Sequence, residues 1–431
     1  METVISFVNK LNQIIDNNVQ FTKRESNDNK LNLRHTLYAS SLALKCSGIS
    51  NIISDLEIDN IVSVSKNALI KKRNNDVTNI CIKSVNDSII NLIYDYNNNF
   101  IKPYNLIIDR DNMSYTNNYT KPDKQLFINR TSKRFIGCDG MQVNLNKSLI
   151  NNNDIKESPN RCYGICIISA LFDVINNIPI NYNITKCSEN KVDKKKVNET
   201  TGFLDQISYL SSNDVVIFDR WYYSNMLIKK LNDNNIGYMF RMKSKSNFFK
   251  NMGLGKSKKI TYLGRDIQLF KYKIKKENYY ILTTIIDDIS IKEIKALYRK
   301  RWKVETDNKK FKYDILYNNI RSKNHNSFLV DIEAIRFVSI ISSFIEYLGK
   351  DCIKSKTKIN SKNCLDVLYK HLLVLILYGK NNECCHKEIC RIIGIIYKTV
   401  TQIIKNRFYT RRRVTPSTKW NINGNRYERK K

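Results

Sequence analysis

The spacing of apolar positions in the first part of the chain is typical of helices. Leucines and isoleucines recur among polar residues from residue 1 to about 125, with no proline or glycine before Gly48. The stretch Val62–Arg73 (VSVSKNALIKKR) predicts a serine-capped basic helix. Such a helix could read DNA or could be an ordinary solvated helix, and the pattern favours neither.

The pattern changes to short apolar runs between Arg134 and Lys243, which predict β-strands. These runs are Arg134–Cys138, Cys162–Ala170, Ile178–Ile184, Val215–Phe218 and Ile236–Met242. A helical segment, Tyr223–Leu231, separates the last two runs. Strands alternating with a helix predict an α/β fold for this part of the chain.

A small β insertion is predicted next, followed by a long helix. Three strand-like runs are separated by polar turns: Lys259–Tyr262, Ile267–Ile274 and Tyr279–Ile286. An amphipathic helix is predicted from about Ser290 to Tyr317. We therefore expect three regions: helical residues 1–125 that bind DNA, an α/β catalytic domain at 126–325 with a β insertion at about 244–289, and helical residues 326–431.

The net charge of the chain predicts the class of molecule that it binds. The chain has 431 residues, 42% of them hydrophobic, and a formal net charge of +33. A chain this long and this apolar builds cores in several domains, and so large a positive charge favours binding to a polyanion such as nucleic acid. Lysine-rich surfaces without a nucleic-acid partner are the alternative.

Cysteine usage and apolar run length predict the compartment. The eleven cysteines are scattered, no signal peptide is evident, and the longest apolar run is Leu372–Tyr378. We expect reduced thiols in an intracellular protein without a membrane segment, because spanning a bilayer takes roughly 18 apolar residues.

Two apolar runs end in an aspartate. Asp139 closes Phe135-Ile-Gly-Cys-Asp-Gly140, and Asp219 follows the run Val215–Phe218. An aspartate at the end of a buried strand is costly unless it pairs or binds a cation. The alternatives are an ordinary Asp-Gly turn at residue 139 and a structural ion pair with Arg220 at residue 219. Asp109, after Leu106-Ile-Ile, is a rival to Asp139.

The third motif is Tyr298-x2-Arg301-x3-Glu305-x6-Lys312. At about 100° per residue, the four side chains project within about 60° of one another over roughly 21 Å of helix. One helix face could thus carry a carboxylate with phosphate-binding groups on both sides, across about six steps of a DNA strand. A solvated face with ion pairs is the simpler alternative, although it does not explain why Tyr298 lies on that face.

These three motifs together resemble those of the DDE transposases of the fourth bacterial insertion-sequence family, which carry the YREK signature. The Asp-Gly element around Asp139, the Asp-Arg-x-Tyr element at Asp219 and the YREK element occur in the order that family has. That family also places β-strands between the second and third elements, where this chain has its predicted insertion. Two residues depart from the pattern, Met141 after Gly140 and Trp221, and neither removes a carboxylate.

The resemblance implies an RNase H-like catalytic core with a β-strand insertion, flanked by mainly helical N- and C-terminal regions. It also implies that Asp139, Asp219 and Glu305 hold two Mg²⁺ or Mn²⁺ ions and catalyse cleavage and strand transfer of transposon ends. The implied DNA contacts come from six residues: Tyr298, Arg301, Lys312, Arg220, Tyr222 and Lys309. Implied partners are double-stranded DNA, as transposon ends and target, and a second copy of the chain on that DNA.

Two other functions fit the same residues. A domesticated protein could have kept the fold and bind DNA without catalysis, although intact carboxylates disfavour this. An RNase H-like nuclease could cut DNA without joining strands.

A further DNA-binding element is predicted near the C-terminus. Residues 386–405 place Cys390, Gly394 and Val400 at intervals that resemble a helix-turn-helix, in which the turn needs glycine. An ordinary helical hairpin with a basic tail is an equally good interpretation.

Overall fold

The computed structural model describes residues 2–23, 32–43, 49–58, 61, 65–95, 133–145, 147–149, 156–157, 164–185, 199–244, 246–274, 277–286, 289–309, 322–348, 357–378 and 383–402. The chain forms two compact units. The α/β unit comprises residues 94–142 and 167–308, and the helical unit comprises residues 1–93, 143–166 and 309–431.

A nine-stranded mixed sheet organises the middle of the chain. Its strands are β1 Arg134–Leu145, β2 Lys156–Glu157, β3 Gly164–Asp173, β4 Ile178–Thr185, β5 Asp214–Phe218, β6 Gly237–Arg241, β7 Lys256–Tyr262, β8 Arg265–Ile274 and β9 Glu277–Thr283. The order is β2-β3-β1-β5-β6-β9-β8-β7, with β4 beside β3. The predicted α/β class with a β insertion and helical flanks is confirmed.

The centre of the sheet is parallel and buried. Strand β5 pairs in parallel with β1 on one side and β6 on the other, and all five of its residues are buried. A strand covered on both faces explains the uninterrupted apolar run in the sequence. The helix Asn225–Asp233, capped by the Ser224 hydroxyl, joins β5 to β6 and buries Leu227, Ile228 and Leu231.

The predicted β insertion extends this sheet. Strand β9 pairs antiparallel with β6, β8 with β9, and β7 with β8. The tight turn between β7 and β8 uses Leu263 and Gly264, both with positive φ (47° and 74°). Strand β7 is an edge strand that exposes Lys256, Lys258 and Lys259, and lysines on an edge discourage pairing with another chain.

Two consecutive helices form the described part of the predicted long helix. They are Ile291–Lys300 and Trp302–Lys309, and residues 310–321 lie outside the described ranges. The first begins with a capping box, in which the Ser290 hydroxyl accepts from the Glu293 amide and the Glu293 carboxylate accepts from the Ser290 amide. Another helix of the α/β unit, Glu199–Leu204, precedes β5.

The helical unit contains most of the remaining helices. They are Glu2–Lys23, Leu33–Ala43, Ile49–Ile58, Lys66–Arg73, Asp76–Asp95, His325–Leu348, Ser361–Val367, Leu373–Tyr378 and Glu383–Lys398, with a π-helical turn at Leu368–Leu372. The predicted serine cap is confirmed, because the Ser65 hydroxyl accepts a hydrogen bond from the Ala68 amide at 3.2 Å. Among the described residues, no helix combines the length and apolar character needed to cross a membrane.

A long helix joins the two helical regions that the sequence predicts as separate. Most of His325–Leu348 is buried, and it packs against Leu33–Ala43 and Lys66–Arg73. Its fully buried Arg336 forms ion pairs with Asp87 and Glu333. Removing one partner would leave a buried charge unpaired, so the Arg336–Asp87 pair links this helix to the helix Asp76–Asp95, whereas Glu333 lies on the same helix as Arg336.

Across residues 386–402, the described part of the predicted helix-turn-helix, the structure has one continuous helix and a short strand instead. Gly394 lies inside the helix Glu383–Lys398, and Val400–Gln402 is a strand that pairs antiparallel with Thr357–Ile359. The reason is amphipathicity: Ile389, Ile392, Ile393 and Ile396 are all buried along one face of the helix. Burying four isoleucines outweighs the roughly 1 kcal/mol cost of a glycine in a helix.

Replacing Gly394 by alanine should therefore stabilise the protein. An added Cβ would meet nothing within 4 Å, and alanine in a helix is favoured over glycine by about 0.5–1 kcal/mol. Urea denaturation followed by circular dichroism measures the change. A loss of stability would indicate that Gly394 occupies a turn.

Candidate active site

Asp219 directly follows the parallel strand β5, as the sequence predicts, but Asp139 lies inside β1, which continues to Leu145. The register pairs Arg134 with Asp214 and continues to Gly137 with Ile217. Asp139 and Asp219 each lie two residues beyond this last pair. Adjacent strands are about 4.8 Å apart, so the backbones of the two aspartates lie near one another.

A glycine in β1 lets the Glu305 helix pack directly on the strand. A Cβ at Gly137 would lie 2.1 Å from Val304 Cγ2 and 2.8 Å from Val174 Cγ1. Such distances are far below van der Waals contact, so no side chain fits at residue 137. The glycine thus brings Val304, and with it Glu305, close to Asp139.

Asn308 connects the same helix to Asp139. Its Nδ2 donates to Asp139 Oδ2 at 2.9 Å, while its Oδ1 is buried without a hydrogen-bond partner. Asn308 lies one turn beyond Glu305 and is 6% exposed. This contact fixes one oxygen of Asp139 from the helix.

Burial and the charges around Asp139 raise the pKa of its carboxyl group. Its pKa is raised to about 6, first by burial and then by the negative charges of Glu199 and Glu305. The Arg301 charge and the Asn308 hydrogen bond act in the opposite direction. A carboxylate in this setting gains from a nearby cation, which would favour its charged form.

The helix predicted to carry Tyr298, Arg301 and Glu305 on one face is divided in two at Arg301, and both Arg301 and Tyr298 are buried. Arg301 Nη2 lies 2.7 Å from Glu305 Oε1, an i,i+4 ion pair. Arg301 is 5% exposed and Tyr298 is 3% exposed. Arg301 and Tyr298 would have to become exposed to make the predicted contacts with DNA phosphates.

Arg220, by contrast, is exposed beside Asp219. Asp219 Oδ1 accepts from the Arg220 backbone amide at 2.6 Å. The Arg220 guanidinium lies 5.5 Å from the ring centroid of Trp221, and the Lys243 ammonium lies 5.3 Å from the same ring. Trp221 is itself 70% exposed, so an aromatic ring and two cations face solvent next to Asp219.

The DNA contact predicted for Tyr222 does not fit its position. Tyr222 is 2% exposed, and its ring packs against Phe218. Its hydroxyl lies 3.7 Å from Cys138 Sγ and hydrogen-bonds the carboxylate of Glu199. The side chain points into the core because Tyr222 is the first inward position after the turn at residues 219–221.

Some predicted residues lie outside the described part of the chain. These are Lys312, the side chain of Lys309 and the rival Asp109. Their predicted roles stay predictions.

Sequence reasoning missed two residues of this site, Asn308 and Glu199. Asn308 could have been found, because it lies three residues after Glu305 on nearly the same face of the helix. Glu199 has no local signal, since it is brought to Asp139 only by tertiary packing against Gly140.

The site residues fit a divalent cation by their chemistry. Asp139, Asp219 and Glu305 each commit one oxygen to a hydrogen bond or ion pair, and each carboxylate has a second oxygen. Carboxylate oxygen is the ligand that Mg²⁺ and Mn²⁺ prefer. As placed, however, no three acidic, histidine or cysteine side chains among the described residues are grouped closely enough to hold an ion.

One known protein family matches the segment of the chain that contains this site. Residues 131–340 match the family described as the transposase DDE domain. This segment of the chain is similar to transposase DDE domains. The match spans β1 to the middle of the helix His325–Leu348 and includes all three predicted carboxylates. This places the domain among enzymes of DNA transposition, and it leaves the finer insertion-sequence family open.

The chain was also compared with solved structures and with curated proteins. A piggyBac transposase, in a cryo-EM structure of its synaptic complex with hairpin DNA, matches with 16% identity and a TM-score of 0.37. The match covers 61% of this chain and 58% of the piggyBac chain. No curated protein matches the sequence.

Proposed function

We propose that this protein is a cut-and-paste DNA transposase whose active site is formed by Asp139, Asp219 and Glu305. The observation that supports this most is the β1–β5 register, whose last pair, Gly137 with Ile217, lies two residues before Asp139 and Asp219 in the segment that matches the transposase DDE domain. The close contact between Gly137 and Val304 supports Glu305 as the third carboxylate, because Glu305 directly follows Val304. Cofactors of the proposed reaction are two Mg²⁺ or Mn²⁺ ions, the ions typical of DDE transposases.

The proposed reaction has two phosphoryl-transfer steps. In the first, water attacks a phosphodiester at the transposon end, the P–O3′ bond breaks, and a 3′-hydroxyl is released. In the second, that hydroxyl attacks a phosphodiester of the target DNA and displaces another 3′-hydroxyl. The divalent ions, when bound, would stabilise charge on the attacking and leaving oxygens.

The protein's own residues hold the carboxylates for this chemistry. Asn308 fixes Asp139 through Oδ2, and the Arg220 amide fixes Asp219 through Oδ1. Arg301 holds Glu305 through an ion pair. Glu305 would have to exchange this partner, at least in part, to reach an ion shared with the aspartates.

The charge distribution supports double-stranded DNA as partner, both as transposon ends and as target. Net charge of +33 favours a polyanion over most other ligands. Next to Asp219, Arg220 and Lys243 offer cations and Trp221 a flat ring. The same function implies an intracellular, DNA-associated protein, and a dimer on DNA because two ends must be joined.

The finer family is also a proposal. Tyr298, Arg301 and Glu305 lie on consecutive helices after a β insertion, the order in the YREK insertion-sequence transposases that the sequence resembles. Lys312, the fourth residue of that motif, lies outside the described ranges.

A cleavage and joining assay on the DNA flanking this gene tests the proposal. The full chain is incubated with both flanks, Mg²⁺ and a supercoiled target plasmid, and products are sequenced. Cuts at matching inverted repeats and insertion into the plasmid are expected, and EDTA should abolish both. Cutting without insertion would instead indicate a nuclease, and binding without cutting a non-catalytic protein.

A further inference from the structure

Trp221 is the most exposed of the large apolar side chains among the described residues, at 70%. It is also one of the two residues at which the sequence departs from the YREK family pattern, so the resemblance assigns it no role. A single exposed apolar side chain is ordinary on a protein surface. The groups around the ring therefore have to show whether it binds anything.

The backbone that carries Trp221 is held on both sides. The Tyr222 amide donates to the Asp219 carbonyl at 3.2 Å, which closes a turn in which Trp221 is the third of four residues. The Asp219 carboxylate accepts from the Arg220 amide at 2.6 Å, and the buried Tyr222 ring packs against Phe218. The indole thus faces solvent from a fixed backbone, and such preorganisation lowers the entropy lost on binding.

Two cations flank the ring, and they come from different parts of the sheet. The Arg220 guanidinium, on the same turn, lies 5.5 Å from the ring centroid, and the Lys243 ammonium lies 5.3 Å from it. Phe218 and Phe240 are the last pair between β5 and β6, and Trp221 and Lys243 each lie three residues beyond that pair. The pairing of the two strands therefore places Lys243 beside the ring.

Both cations are available to an anion. Among the described residues, neither Arg220 nor Lys243 forms an ion pair, and both side chains are exposed. Their distances from the ring centroid are near the outer limit of about 6 Å for a cation–π contact. They leave most of the ring open, as the exposure of Trp221 shows.

The three side chains match the two chemical parts of a nucleotide. A flat aromatic ring stacks on a nucleobase with little preference for its identity. Guanidinium and ammonium groups bind the charged oxygens of a phosphate. A protein partner would satisfy the ring or the charges, whereas a nucleotide satisfies both together.

The base that stacks on Trp221 has to be unpaired. Within a duplex both faces of an internal base are covered by its neighbours, so only a base that has left the stack, or the last base of a strand, offers a face to an indole. Trp221 lies two residues after Asp219, where the proposed reaction cuts a strand and leaves such an end.

We propose that Trp221, Arg220 and Lys243 bind an unpaired nucleotide at the DNA end, with the indole stacked on the base and the two cations on its phosphate. This inference rests on the proposed function, because it assumes that DNA is cut beside Asp219. It deepens that function by assigning a site for single-stranded DNA next to the site of cleavage.

Binding of oligothymidylate to the full chain in EDTA tests this without metal or catalysis. In a single strand of about ten thymidines every base is unpaired. Trp221→Ala should weaken this binding by about fivefold or more, as expected for the loss of one stacked base, and Trp221→Phe should weaken it by less. Binding of a blunt duplex of the same length should change by less than about twofold.

Trp302 provides the matched control. It is 48% exposed, but the cation beside it, Arg301, is buried and paired with Glu305, so Trp302→Ala should leave oligothymidylate binding unchanged. Replacing both Trp302 and Trp420 by phenylalanine makes Trp221 the only tryptophan of the chain. Fluorescence of that variant should be quenched by oligothymidylate and not by the blunt duplex.

The outcomes separate this inference from the proposed function. Oligothymidylate binding by Trp221→Ala equal to that of the parent, or an equal loss of both DNAs, would overturn the inference. A lower oligomeric state of Trp221→Ala in sedimentation would mean that the ring contacts a second copy, and would overturn it too. The proposed function stands in each case if the parent cuts and joins the flanking DNA in Mg²⁺. Circular dichroism of each variant establishes that it is folded.

Discussion

Replacing Asp219 by asparagine is expected to abolish DNA cleavage while leaving the protein folded. Asparagine has the same shape but no charge, so the Arg220 amide keeps an acceptor while the site loses a metal ligand. Losing several kcal/mol of transition-state stabilisation corresponds to a fall of about 10³-fold or more in cleavage rate. The same loss is expected for Asp139→Asn.

Nicking of DNA from the flanks of the gene, followed over time in Mg²⁺, measures this effect. Asp233→Asn is the control, because Asp233 is an exposed residue at the end of the helix Asn225–Asp233 and the charge change is identical. Binding to the same DNA should be retained in all three variants. Full nicking by Asp219→Asn would refute its assignment as a metal ligand.

The second large effect is expected at Gly137, which carries no charge itself. An alanine Cβ would lie 2.1 Å from Val304 Cγ2 and 2.8 Å from Val174 Cγ1, so the helix Trp302–Lys309 must shift away from β1. Overpacking of this kind costs about 1–3 kcal/mol of folding stability. A shift of about 1 Å in Glu305 would also lower the cleavage rate by up to about 10²-fold.

Urea denaturation and the nicking assay together measure the two consequences of Gly137→Ala. Gly253→Ala is the matched control, because an added Cβ there meets only the flexible side chain of Lys256 at 3.4 Å. Truncating Val304 to alanine in the Gly137→Ala background should recover part of the activity, since it removes the closer of the two clashes. Unchanged stability and activity in Gly137→Ala would show that the helix does not pack on β1 as described.

The strands of the α/β unit could be predicted from the sequence because their signals are local. A run such as Val215–Phe218 is apolar throughout since β5 is covered on both faces. The cap at Ser290 is likewise a local pattern with a physical cause. Paired residues of β1 and β5 are 80 positions apart in the sequence (214 − 134). Asp139 and Asp219 are also 80 positions apart (219 − 139), so their spacing in the sequence agrees with the register of the two strands.

The parts that the sequence could not predict depend on contacts between distant residues. Gly137 and Val304 meet only after the sheet has formed, and so do Gly140 and Glu199. Tyr222 has the position of a DNA contact in the motif, yet its ring is buried. Gly394 resembles a turn residue, but the helix continues past it because four isoleucines on one helix face are buried.

The most direct measurement is a crystal structure of the full chain soaked in Mn²⁺, with anomalous scattering recorded at the manganese edge. The account predicts anomalous peaks between Asp139 and Asp219, within about 2.2 Å of their carboxylate oxygens, and Glu305 turned toward them from Arg301. Peaks elsewhere in the protein, with these carboxylates still bound only to Asn308, the Arg220 amide and Arg301, would contradict it.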